Sequence, residues 1–177
     1  RNLLQLTTKA HLEGFYYKPR IDFELLQQHH EGLIALSACL GGHVSQALLN
    51  NRHEEAEMLA TKYKEIFGPD YYVELQHHPH IPEQAVVNEG LKALAKKLSI
   101  PLVATCDSHY LHHDDAEAHD VLLCLQTKRK QNEKGRMSMM HDDFSFEVDD
   151  MLAAFANTPE AITNTVTIAN ACNLTIQ

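Results

Sequence analysis

The stretch PLVATCDSHYLHHDD, residues 101–115, places a carboxylate, Asp107, and an imidazole, His109, one residue apart directly after an apolar run. Carboxylate and imidazole are the side chains that bind divalent cations or pass protons. Two other apolar runs end in a similar way: GLIALSA is followed by Cys39, and YYVELQ carries Glu74 and leads into His77 and His78. Each feature alone has an ordinary explanation. An Asp-x-His caps a following helix, a lone cysteine beside an apolar run is a small buried hydrophobe, and HHPH is a polar loop held by Pro79 and Pro82. Potential ligands after three successive apolar runs, taken together, favour a metal site at one edge of a fold.

The elements around these residues say how that edge is built. NLLQLTTKAHLEGF has apolar residues at helical spacing, and YYKPRIDFELLQQ turns through Pro19 into a short second helix. GLIALSA, opened by Gly32 and closed by Gly41-Gly42, fits a buried strand of roughly five residues. RHEEAEMLATKYKEIFG then reads as an amphipathic helix ending at Gly68-Pro69, YYVELQ as a strand, PEQAVVNEGLKALAKKLSI as a helix and PLVAT as a third strand. Strand, helix, strand, helix, strand predicts an α/β architecture with parallel strands and crossover helices. Ligands in such folds bind at the carboxyl ends of the strands, where Cys39, His77, His78, Asp107 and His109 fall.

Composition narrows the class. The chain has 177 residues, 44% of them apolar, which is enough for the core of one globular unit. A formal net charge of −9 excludes nucleic-acid binding through the overall field, so any such contact must be local. The four cysteines, Cys39, Cys106, Cys124 and Cys172, are scattered and predict reduced thiols. There is no apolar run of about 18 residues and no secretory leader pattern, so the expectation is a cytoplasmic protein without a membrane partner. Arg1 stands where an initiator Met would and leads straight into a helical pattern, which suggests a piece of a longer chain.

Longer segments carry a resemblance. KAHLEGFYYKPRID, GLIALSACLGG, YVELQHH, VNEGLKALAKKLSIPLVATCDSHYL, DAEAHDVLLCLQT and PEAITNTVTIANACNLTI follow one another in the order found in the PHP (polymerase and histidinol phosphatase) domain of bacterial DNA polymerase III alpha subunits, which the chain resembles nearly end to end. The resemblance implies a distorted parallel β/α barrel of PHP type, present here in part, with C-terminal helices. It divides the chain into a partial barrel over 1–127 and a basic loop with a helical segment over 128–177, bridging towards the polymerase body. The metal ligands it implies are Cys39, Asp107 and His109. Glu74 and His78 match a loop peripheral to the cleft, in which His77 and Pro79 depart from the usual Asp and Gly. The family's earlier ligands, including an opening His-x-His motif, have no counterpart in these residues.

The chemistry implied by the resemblance is metal-assisted phosphodiester hydrolysis, in which divalent ions activate water and stabilise the attacking and leaving oxygens. A cysteine ligand favours zinc, while Asp and His accept manganese or iron equally. Two roles stay open: a 3′–5′ proofreading exonuclease, or a domain without metals that docks a separate proofreading exonuclease. DNA, reached through the parent polymerase, and other replicase subunits are the implied partners. An unrelated α/β metallohydrolase is a third reading, which leaves the ordered match unexplained. Two segments lie outside the site. TKRKQNEKGRMSM gathers Lys128, Arg129, Lys130, Lys134 and Arg136, and reads as a mobile, solvated loop rather than a phosphate-contacting one. DDMLAAFAN and TPEAITNTVTIANACN form a helical pair, with Thr158 as N-cap and Pro159 at N1.

Overall fold

The computed structural model describes residues 1–146 and 149–175. Its centre is a three-stranded sheet with β1 (Ala35–Leu36), β2 (Tyr71–Gln76) and β3 (Leu102–Thr105) in the order β1-β2-β3, both pairings parallel. The register sets Ala35 beside Tyr71, Val73 beside Leu102 and Leu75 beside Ala104. These residues therefore share one face, because side chains alternate along a strand. That face is apolar and carries the main core.

Helices α3 (His43–Leu49), α4 (His53–Phe67) and α5 (Pro82–Leu98) make the crossovers and supply Val44, Ala47, Ala56, Ala60, Val87 and Leu91 to the same core as Val73 and Leu75. Gly90 eases the close approach of α3 to α5: a Cβ there would stand 3.2 Å from a methyl of Leu48, which would have to shift. α4 ends at Gly68, whose φ of +57° suits glycine, and Lys64 on its last turn donates to the Leu98 carbonyl at 2.6 Å, satisfying an end of α5. The N-terminal helices α1 (Asn2–Leu12) and α2 (Phe23–Gln28) precede the sheet, and Asp22 caps α2 by accepting from the Leu25 amide at 2.8 Å.

After β3 come α6 (Ala116–Thr127), the short α7 (Asp149–Ala154) and α8 (Pro159–Ala171). α8 packs on β3, where Asn164 donates to the Leu102 carbonyl at 2.8 Å, and Met151, Phe155 and Ala161 join the main core. Thus the parallel α/β order expected from the sequence is present, with β2 spanning the whole of YYVELQ. Three details differ. The first strand is two residues long because only Ala35 and Leu36 find partners on β2. α3 lies in a stretch to which the sequence assigns no element, and Thr158, at the expected N-cap of α8, makes no side-chain capping bond.

The basic stretch is largely exposed, as expected of a solvated loop, and is anchored at its far end. Arg136 reaches back to Asp120 on α6, donating to both carboxylate oxygens at 2.6 and 2.7 Å, and Asp120 is buried. Gln131 and Ser138 also donate to that carboxylate, so the loop is pinned at its far end. A charge surrounded by charged neighbours in the sequence is buried here because its fork meets a carboxylate in bidentate fashion.

Candidate metal centre

Parallel pairing brings the carboxyl ends of all three strands to one edge. Cys39 follows β1 there, His77 and His78 follow β2, and Asp107 and His109 follow β3. The loops that leave this edge hold non-glycine residues in left-handed conformations, Ala38 with φ +67° and Asp107 with φ +50°. Such backbone is uncommon, is better tolerated by Asp than by Ala, and collects at functional sites. The loop carrying Cys39 is further fixed by Gly42: a Cβ there would lie 2.4 Å from the Ser37 carbonyl oxygen.

His78 is buried, and its Nε2 stands 3.5 Å from Asp107 Oδ2. The separation is long for a hydrogen bond, and neither ring nitrogen of His78 has a hydrogen-bond partner. Its ring nitrogens instead face carboxylates, Nε2 that of Asp107 and Nδ1 that of Asp142. The His78 ring beside Asp107 holds that carboxyl below the usual carboxylate range, against burial, which acts to raise it; His109 assists. Asp107 is thus kept as the anion a metal ion requires.

His109 turns its Nδ1 to the carbonyl of Asp107 at 2.7 Å. A carbonyl only accepts, so Nδ1 carries the proton and the lone pair of the neutral ring lies on Nε2. This is the arrangement that orients metal-binding histidines. Glu74 lies on the sheet face opposite the main core, where Thr105 and Gln76 both donate to its Oε1 and its own amide donates to Ser37 Oγ at 2.9 Å. Asn88 on α5 holds the Gln76 carbonyl at 2.8 Å. Glu74 therefore ties β2 to β3 beneath the Asp107 turn.

Cys39 stands at the same edge beyond β1, with β2 between it and β3. Two strand spacings amount to about 10 Å. Among the described residues, no three His, Cys, Asp or Glu side chains are grouped so that they could hold a metal ion. The donor chemistry of Asp107, His109 and Cys39 suits a divalent ion.

Sequence reasoning missed the segment that closes this edge. Residues 142–146 pass over the end of β3: the His109 amide donates to the Phe144 carbonyl at 2.8 Å, and the Phe146 amide to that of Leu111 at 3.2 Å. Phe144 is buried with its ring 4.6 Å from that of His78 and 5.5 Å from that of His109. Asp142 accepts from the His80 amide at 3.0 Å and brings its carboxylate within 4.0 Å of His78 Nδ1. Asp143 contacts His113 Nδ1 at 3.0 Å and accepts from the amide and hydroxyl of Ser145. Burial acts to raise Asp143, yet these donors hold it below the ordinary carboxylate range. A cleft of about 700 Å³ opens alongside, lined by His77, His80, Cys106, His113, Asp142 and Asp143 among others. The only hint in the sequence was HDD in a histidine-rich chain; a contact some sixty positions away, such as His80 with Asp142, leaves no local signature.

Comparison with known proteins agrees with this architecture. Residues 1–78 match the family model of the PHP domain. The chain is 42% identical over 174 residues to the DNA polymerase III subunit alpha of Borreliella burgdorferi, 98% of this chain and 15% of the relative. It is 46% identical over 178 residues to that of Treponema pallidum, 99% of this chain and 15% of the relative. Against that of Aquifex aeolicus the identity is 47% over 148 residues, 82% of this chain and 13% of the relative. The chain is thus similar to PHP-domain sequence at its start and, over nearly its whole length, to one segment of bacterial DNA polymerase III alpha subunits. It spans about 15% of the length of the first two relatives.

Proposed function

We propose that this chain is part of the PHP domain of a replicative DNA polymerase III alpha subunit, and that its sheet belongs to a distorted β/α barrel completed by strands of the longer protein. In that barrel Cys39, Asp107 and His109 are the late ligands of a divalent metal cluster, zinc or manganese, serving a 3′–5′ proofreading exonuclease. The observation that carries the reading is geometric: Asp107 lies at the carboxyl edge 3.5 Å from the buried His78 ring, and His109 is bonded through Nδ1 to the Asp107 carbonyl, which leaves Nε2 for a ligand. When bound, the metal would lower the pKa of a water and offset charge on the oxygens of the scissile phosphodiester. The chain's own residues orient the donors: Glu74 and Gln76 fix the end of β2 against β3, and Phe144 shields His78 from water. DNA and other replicase subunits are the partners, and the cytoplasm is the compartment; no described helix is long and apolar enough to cross a membrane.

A second reading has its own support. α6 leaves Val121, Leu122 and Leu125 exposed along one side, and no three donors are grouped among the described residues. Both features suit a scaffold that docks a separate exonuclease subunit. The two readings part in one assay: metal-dependent release of nucleotides from a DNA 3′ end by the longer protein and its Asp107→Ala variant. The exonuclease reading expects release to be lost in the variant while nucleotide incorporation continues. Absence of release from the unaltered protein would leave the scaffold reading.

A further inference from the structure

The basic loop after α6 was absorbed by neither reading. Lys128, which ends α6 in a left-handed conformation with φ +55°, and Lys130 and Lys134 are all exposed. Among the described residues no carboxylate pairs with any of the three, whereas Arg129 is bridged to Glu133 at 3.2 Å. Glu133 also accepts from the Lys130 amide at 3.0 Å, turning the chain between the lysines. The loop is locked at its far end by the buried Asp120–Arg136 pair, with the Arg136 Nε bonded to the Gln131 carbonyl at 3.0 Å. A chain of net charge −9 thus holds three unneutralised cations on a pinned loop.

We propose that Lys128, Lys130 and Lys134 form a surface for the phosphate backbone of duplex nucleic acid. Lysine ammonium groups act as point charges on phosphates and carry no base information by themselves. Residues 127–136 contain no aromatic side chain, so the loop has nothing on which to stack an unpaired base. The surface therefore suits a duplex read without regard to sequence. Pinning by Arg136 removes part of the ordering cost that a free loop would meet on binding. This inference is independent of the metal centre, since it rests on different residues.

The test is fluorescence anisotropy of a labelled, mixed-sequence DNA duplex titrated with the full chain at several salt concentrations. Three phosphate contacts predict a slope of log K against log salt of about −2.7, or binding about 40-fold weaker at about 200 mM than at about 50 mM salt. Lys128→Gln, Lys130→Gln and Lys134→Gln combined should abolish the salt-dependent binding. Asp120→Asn keeps all three lysines and removes a negative charge, which alone would strengthen binding. The pinned-loop account expects it to weaken binding several-fold, with circular dichroism confirming the fold. Unchanged binding by the triple variant would overturn the proposal, as would no binding by the unaltered chain at low salt. Polyglutamate binding in preference to the duplex would overturn it too, pointing to an acidic protein partner.

Discussion

Asp120 and Arg136 show at the residue scale how far one side chain's surroundings reach. Arg136 holds the Asp120 carboxyl down to about 2, where an unfolded carboxyl titrates near about 3.9. The folded protein thus binds this proton less readily than the unfolded chain does. The resulting stability is fully present above about pH 4 and is lost as the pH falls through about 2. Acid unfolding followed by circular dichroism should start at higher pH in Arg136→Ala than in the unaltered chain, and the variant should melt several degrees lower at neutral pH. Replacing the exposed Lys128, Lys130 and Lys134 should leave the melting temperature nearly unchanged. Equal melting of Arg136→Ala and the unaltered chain would mean that the pair contributes nothing. The position of Asp107 and His109 just beyond β3 was legible because they follow an apolar run, a placement that needs only local pattern. The burial of His78 but not His80 was not legible, because it depends on Phe144 and Asp142 arriving from far along the chain.

Elements differ in legibility for physical reasons. β2 could be read because Tyr71, Val73 and Leu75 alternate with residues of the other face, and α5 because its apolar residues keep helical spacing over seventeen positions. β1 was read too long, since an apolar run fixes no hydrogen-bonding partners and the second strand offers it only two rungs. The seven residues of α3 were hidden behind Gly41-Gly42, a pair that punctuates the chain; Gly42 is there because the loop passes too close to Ser37 for a side chain. The core on the helical face should then dominate stability. Leu75 is fully buried at the centre of β2, so Leu75→Ala should cost about 2–5 kcal/mol in urea unfolding. A cost below about 1 kcal/mol would show that the site collapses around the loss or that this face is not the core.

Among the described residues the whole molecule sets ligand types along one edge without grouping three of them, and this follows from its sheet. Cys39 and Asp107 share an edge because β1 and β3 are both parallel to β2, and they are held apart because β2 lies between them. An open three-stranded sheet keeps that separation, whereas closure into a barrel by further strands brings distant strand ends towards one cleft. The 177-residue chain should accordingly bind at most one zinc or manganese ion, and weakly, when titrated calorimetrically. The proposed longer protein should retain metal through dialysis. The decisive measurement is its metal content per chain, by mass spectrometry, for the unaltered protein and for Asp107→Ala. If Asp107 is a ligand the variant loses at least one ion per chain; equal metal in the two proteins would show that it is not.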